Sequence, residues 1–304
     1  MNQKKVIWHV GKMKTATTYL QRKIFPKLKS VIFLGWYTKI KTPPFYNEEI
    51  RKFDEYLRYS DDFDVDNDIV TNFLQKIELI HKKYNLKILI SDEGICTDEN
   101  NIYRNLQRIK KIDTNATVVI SIRKQSDYLL SQYYQYRRGV FGNKAWKNMS
   151  INTFLDKDIR GHVKDANYFP LIQEAVELFG IDNTIVVPYE YLKQSPNLYV
   201  EFFNGVISDS DTQIFNDLIF NSSKEHARTR NKFFDIVSNI LGEGSISSFI
   251  CKLPLMFHRF IYCHYTTSDV DKWMRNNEVS YADGNLKIQN LLSINLKSIG
   301  YEIK

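Results

Sequence analysis

Cysteine is scarce in this chain: Cys96, Cys251 and Cys263 are the only three, an odd number without metal-ligand spacing. That argues against a disulfide framework and a structural zinc site, and suits buried or free thiols in a reducing compartment. Long apolar runs are also missing. The longest apolar-rich stretch, Phe249 to Cys263, is broken by Lys252, Pro254, His258 and Arg259, and is too short and too polar to cross a bilayer. Met1 to Lys5 lead straight into a short strand candidate with no extended apolar segment, so no secretory signal is expected and the expected location is cytoplasmic. No repeat and no low-complexity segment is visible, which excludes solenoid and collagen-like architectures.

What is there points to a packed core. Apolar residues make up 43% of the chain and aromatics 14%, well above what disordered chains carry. The formal net charge of +7 favours an anionic partner: nucleic acid, an anionic lipid surface, a nucleotide or an acidic glycan. The basic residues are scattered, with only small groups at Lys82-Lys83, Lys110-Lys111 and Arg137-Arg138. A nucleic-acid face would gather them with exposed aromatics, so nucleic acid is not the expected partner.

Short β-branched runs alternate with helical patterns, which predicts βαβ units around a parallel sheet. The strand candidates are Lys5–Val10, Val31–Leu34, Lys87–Ser91, Thr117–Ile122 and Thr184–Val187, each nearly continuous in apolar residues, as strands covered on both faces are. Helices are expected over Thr15–Lys29, Ile69–Tyr84, Ile102–Ile112, Ser126–Arg138 and Ala166–Phe179, the last ending at Gly180. The expected fold is α/β, a three-layer sandwich with a central parallel sheet of about five strands and a mostly helical region beyond residue 205. Trp36–Asp68 and Gly139–Val163 read as insertions on the ligand side, and no linker demands a second domain.

Two constellations carry chemistry. In the first, Val6 to Val10 enters Gly11-Lys12-Met13-Lys14-Thr15-Ala16-Thr17-Thr18-Tyr19. A strand, a short loop with glycine and lysine, and a helix opening on threonines together form an anion site, from backbone N–H groups, the Lys14 charge and the hydroxyls of Thr15, Thr17 and Thr18. The plainer reading is a helix capped by threonine. A nucleotide-kinase loop would place a second glycine directly before the Lys-Ser/Thr pair, and this chain has none there. In the second, the strand Thr117–Ile122 ends in Arg123, with Asp127 and Ser131 following on a helix. An arginine fork at the C-terminal end of a strand, with a hydroxyl nearby, suits a terminal phosphate, although such an arginine also serves as an ion-pair residue.

The first constellation resembles the 5′-phosphosulfate loop of bacterial sulfotransferases that use 3′-phosphoadenosine 5′-phosphosulfate (PAPS), H-x-G-x-P-K-T-G-T-T-x-L-Q. It matches at His9, Gly11, Lys14, Thr15, Thr17, Thr18, Leu20 and Gln21, and departs at Met13 and Ala16, where that family has proline and glycine. The second is similar to the family's 3′-phosphate motif R-x-P-x-[DE]-x-x-x-S at Arg123, Asp127 and Ser131, with Gln125 in place of proline. Later segments, Phe179-Gly180 and Pro188-Tyr189-Glu190-Tyr191-Leu192, resemble the family as well, so the likeness runs over roughly residues 5 to 205. The resemblance implies a P-loop-like nucleotide-binding core at 5–205 and a helical extension at 206–304 within a single domain, 1–304.

It further implies a PAPS-dependent sulfotransferase that releases PAP and needs no metal. Gly11, Lys14, Thr15, Ala16, Thr17, Thr18 and Tyr19 would hold the phosphosulfate, and Arg123 and Ser131 the 3′-phosphate, with Arg228 and Arg230 as further contacts. An acceptor hydroxyl must lose its proton as it attacks sulfur. Glu93, just past the strand Lys87–Ser91, stands where the carbohydrate-type members carry their glutamate base; Asp92 is its local competitor and His162 a more remote one. Lys14 would be the catalytic cation. His9, on a central strand, is expected to be a packed, hydrogen-bonded histidine, and Tyr189 and Glu190 packing and capping residues. The acceptor expected is a hydroxyl of a carbohydrate or glycolipid, with a peripheral membrane contact through Phe249–Cys263 as the alternative to a packed helix there. The rival readings are a P-loop nucleotide kinase and a non-catalytic PAP-binding protein of the same fold.

Overall fold

A computed structural model describes residues 6–35, 48–96, 99–137, 149–194, 196–203, 207–213 and 265–303. Five strands, β1 (Val6–His9), β2 (Val31–Gly35), β3 (Lys87–Ser91), β4 (Thr117–Ile122) and β5 (Thr184–Pro188), form one sheet in the order β2-β3-β1-β4-β5. Every neighbouring pair is parallel, with His9 opposite Ser91 on one side and Val119 on the other. All five lie within two residues of the strands expected from the sequence. Residues of β1, β2 and β4 are buried throughout, because helices cover both faces.

The first helix departs from expectation. α1 (Thr17–Tyr19) runs on through a wide turn, Leu20–Ile24, and a tight turn, Phe25–Lys27, in place of one regular helix over Thr15–Lys29. Pro26 has no N–H to offer the preceding turn and its ring crowds the carbonyl four residues back, so regular i to i−4 bonding cannot pass through it. Within the stretch Trp36–Asp68 read as an insertion, the structure forms a helix, α2 (Glu48–Tyr59). Its Ile50, Phe53 and Leu57, at helical spacing, turn inward, and Phe53 stacks on Phe73 of α3 (Asp68–Tyr84) at 3.6 Å between ring centroids.

α4 (Glu99–Ile112) and α5 (Gln125–Arg137) follow β3 and β4. The helix expected over Ala166–Phe179 is α8 (Phe169–Phe179), and the short α6 (Ile151–Asp156) and α7 (His162–Asp165) precede it. Pro170 falls in the first turn of α8, where its missing N–H is harmless, and that sets the start. Beyond β5 come α9 (Tyr189–Gln194) and α10 (Pro196–Glu201), then α11 (Thr267–Asn276) and α12 (Ala282–Leu292). The described part of the C-terminal region is thus helical, as expected. A second apolar cluster, with Tyr128, Tyr133 and Tyr136 of α5 against Phe154 of α6 and Trp273 and Met274 of α11, ties it to the sheet's ligand edge. No described helix is long and apolar enough to cross a membrane. The expectations for Arg228, Arg230 and Phe249–Cys263 lie outside the described residues.

Candidate functional site

The sheet order creates the site. The chain leaves β1 toward β2 at one edge and leaves β4 toward β5 at the other, so the C-terminal ends of adjacent β1 and β4 flank a crevice where the strand order reverses. The loop 11–16 comes from β1 and the turn at Arg123 from β4. The β1–β4 pairing extends into the loop, with Val10 N–H donating to Val119 O (2.9 Å) and Lys12 N–H to Ser121 O (3.2 Å). Gly11 is required for this approach: a Cβ there would lie 2.8 Å from Ser121 Cβ and 3.1 Å from Thr17 Cγ2.

Thr15 is buried and its hydroxyl donates to Lys12 O at 2.5 Å, closing the loop on itself. Thr17 is buried, Tyr19 half-buried and Thr18 exposed. Two non-glycine residues of the loop, Lys14 (φ 67°) and Ala16 (φ 69°), take left-handed backbone conformations. At Ala16 the resembling family has glycine, and the left-handed geometry is the physical reason for glycine at that place. Such a conformation costs an L-residue about 1–2 kcal/mol, partly offset by alanine's smaller unfolded-state entropy. Ala16→Gly is therefore expected to raise stability by about 0.5–1 kcal/mol, read as a higher urea midpoint; a lower midpoint would show that the Ala16 methyl contributes more than its strained backbone costs.

Arg123 meets this loop directly. Its Nη1 donates to Lys14 O at 3.0 Å, its guanidinium lies 4.8 Å over the Tyr189 ring, and Nη2 stands 3.8 Å from Asp127 Oδ1. The side chain is 15% exposed, and its buried Nε–H has no partner among the described residues. A guanidinium at the C-terminal end of a strand suits an anionic oxygen. Asp127 and Ser131, four residues apart on α5, share one face of that helix, and Ser131 is half-buried.

On the other side of β1, Asp92 N–H donates to His9 O (3.1 Å), which carries the β1–β3 pairing past Ser91. Asp92 is buried and held by Arg58 Nη1 at 3.1 Å and by Gly94 N–H at 2.7 Å. A Cβ at Gly94 would collide with the Arg58 guanidinium, so a larger residue there would have to displace that side chain from Asp92. With its oxygens committed in this way, Asp92 is a structural anchor. Glu93 opens the tight turn Glu93–Cys96 at the same strand end; its side chain lies outside the described residues. A small cleft beside this turn, lined by Trp8, Phe53, Phe73, Asp54 and Asp92 among others, has free space of about 20 Å³, room for about one water and not for a sugar ring.

His9 is the packed histidine expected. It is fully buried between Ser91 Oγ (2.7 Å from Nδ1) and Ser121 Oγ (2.9 Å from Nε2), and burial pushes its pKa down to about 3. Gln21 Nε2 donates to Ser91 Oγ and Ser91 O at 3.0 and 3.1 Å, so two matched sequence positions, His9 and Gln21, serve to join strands. His162 is buried between Tyr128 and Tyr136, with oxygens 3.3 Å from Nδ1 and 3.0 Å from Nε2. Burial, with the charges of Lys12 and Arg160, lowers its pKa to about 4. Both nitrogens are engaged by tyrosine hydroxyls, a packed setting for a histidine that the sequence left as a remote base.

The sequence reading missed Lys12. It is buried, and its Nζ pairs with buried Asp165 of α7 at 3.1 Å. Lys12 lies within the loop, but nothing in the pattern of α7 marks Asp165 as its partner.

The chain thus defines an α/β protein with an anion-suited crevice at the switch point of a parallel five-stranded sheet. No family model and no curated protein matches it. Among solved structures it is similar to a sulfotransferase from Alicyclobacillus acidocaldarius, with 13% identity, 68% of this chain and 82% of that chain covered and a TM-score of 0.43. It is also similar to the sulfotransferase domain from the curacin biosynthetic pathway, with 11% identity, 70% and 77% coverage and a TM-score of 0.40.

Proposed function

We propose that this protein is a PAPS-dependent sulfotransferase, one domain over residues 1–304, acting on a hydroxyl of a carbohydrate or glycolipid. One observation carries the reading: two anion-suited elements far apart in sequence meet, with Arg123 donating to the backbone of Lys14 at 3.0 Å. PAPS carries anionic groups at both its 5′ and 3′ positions, and a crevice with a lysine loop on one wall and an arginine on the other suits it.

In this reading PAPS supplies the sulfuryl group, transferred in line to the acceptor oxygen. The new S–O bond forms as the bond to the 5′-phosphate breaks, and PAP leaves. Positioning and charge dominate such a transfer. Lys14 stabilises the charge gathering on the leaving phosphate oxygen. Thr17, Thr18 and the N–H groups opening α1 hold the phosphosulfate, with Gly11, Thr15, Ala16 and Tyr19 shaping the loop around it. Arg123 and Ser131 hold the 3′-phosphate. Glu93 takes the proton of the acceptor hydroxyl.

The test is ligand-induced stabilisation. PAP at a hundredfold excess over its dissociation constant is expected to stabilise the protein by about 2.7 kcal/mol, with a much smaller thermal shift from AMP or ADP. Arg123→Ala is expected to remove most of the preference for PAP. Equal shifts with PAP and AMP would overturn the assignment of Arg123, and a larger, Mg²⁺-dependent shift with ATP would favour the kinase reading.

A further inference from the structure

The turn that carries Arg123 is gripped from a distant part of the chain. The Arg123 carbonyl accepts from Tyr168 OH at 2.8 Å. The next N–H, that of Lys124, donates to Glu190 Oε1 at 2.8 Å, and the other oxygen of that carboxylate accepts from Tyr301 OH at 2.8 Å. The following side chain, Gln125, donates to Asn285 Oδ1 at 2.7 Å, and Asn285 Nδ2 donates in turn to Glu302 O at 3.0 Å. Gln125, Glu190, Asn285 and Tyr301 are all buried, at 3%, 7%, 1% and 3% exposure. At so little exposure, solvent cannot replace the lost partner if one of these bonds is removed.

The arrangement is more than capping. Burial raises the Glu190 pKa, while the Lys124 N–H, Tyr301 OH and the nearby Arg123 charge favour its ionised form. Glu190 is therefore a buried acid directly behind the arginine, and its placement sets both the course of the turn and the field Arg123 feels. An arginine that must meet an anion in one geometry needs its backbone fixed to within about half an ångström. The sheet alone does not provide that, because β4 ends at Ile122.

Resting on the reading of Arg123 as the 3′-phosphate residue, we propose that α12 and the segment after it are a positioning element for that subsite. Tyr301 acts through Glu190, and Asn285 through Gln125, to hold the turn 123–125. These are positioning residues and touch no substrate. They make selection for the 3′-phosphate depend on residues 285–302, far in sequence from either anion element.

The test compares PAP and AMP affinities by titration calorimetry for the full-length protein, Tyr301→Phe and Asn285→Ala. Each variant is expected to weaken PAP about three- to tenfold while leaving AMP unchanged, so that the PAP-to-AMP ratio falls. A purely structural role would lower stability and leave the ratio at its wild-type value, and that result would overturn the proposal. Should Tyr301→Phe fail to fold, Asn285→Ala and Glu190→Gln carry the same comparison. If the wild-type protein itself shows no preference for PAP, the underlying assignment of Arg123 has failed instead, and the two failures are told apart within one experiment.

Discussion

Glu93→Gln is expected to lower sulfuryl transfer by about 10²–10⁴ while PAP binding persists. Glutamine keeps the shape and the hydrogen-bonding reach of glutamate but cannot take a proton at neutral pH. The expectation rests on position: Glu93 opens the turn after β3, next to β1 in the sheet and at the same strand-end edge as the Lys14 loop and Arg123. It also rests on elimination. Asp92, adjacent in sequence, is buried in an ion pair with Arg58 at 3.1 Å, and both nitrogens of His162 are engaged by tyrosines. The assay is transfer of radiolabelled sulfate to a panel of oligosaccharides, glycolipids and simple phenols. Wild-type rates in Glu93→Gln would remove it as the base, and labelling of phenols alone would overturn the carbohydrate acceptor.

The largest stability effect is expected at the buried pair Lys12–Asp165. Removing one partner strands a charge in the interior, so Lys12→Met or Asp165→Asn is expected to cost about 3–5 kcal/mol. Replacing both, as Lys12→Met with Asp165→Asn, removes the stranded charge and is expected to cost far less than the two single losses added together. Urea denaturation of the four proteins closes this cycle. Additive losses would show that the pair is not coupled. Because Lys12 lies inside the loop 11–16, the single variants are also expected to weaken PAP binding.

All five strands could be read from the sequence because each is covered on both faces and its apolar residues run nearly unbroken, as in Thr117–Ile122. The anion elements were legible for a local reason: Gly11, Lys14 and the threonines lie within one loop and helix start, and Arg123, Asp127 and Ser131 within one strand-helix junction. α2 was missed because the surrounding stretch, with Pro43-Pro44 and mixed acidic and aromatic residues, masks the Ile50, Phe53, Leu57 spacing. The short α6 and α7 escape the sequence pattern because six and four residues carry too little periodicity to mark a helix.

The sequence by itself determined the alternation of strands and helices and marked the two candidate anion elements and the glutamate after β3, since each depends on residues close together in the chain. Only the tertiary structure decided which of these meet. That Arg123 reaches Lys14, that Lys12 is neutralised by Asp165, that Asp92 belongs to Arg58 and that Tyr301 and Asn285 hold the Arg123 turn all follow from the parallel sheet order. A parallel sheet requires long crossovers between neighbouring strands, so its contacts join residues far apart in sequence, and local pattern carries no record of them.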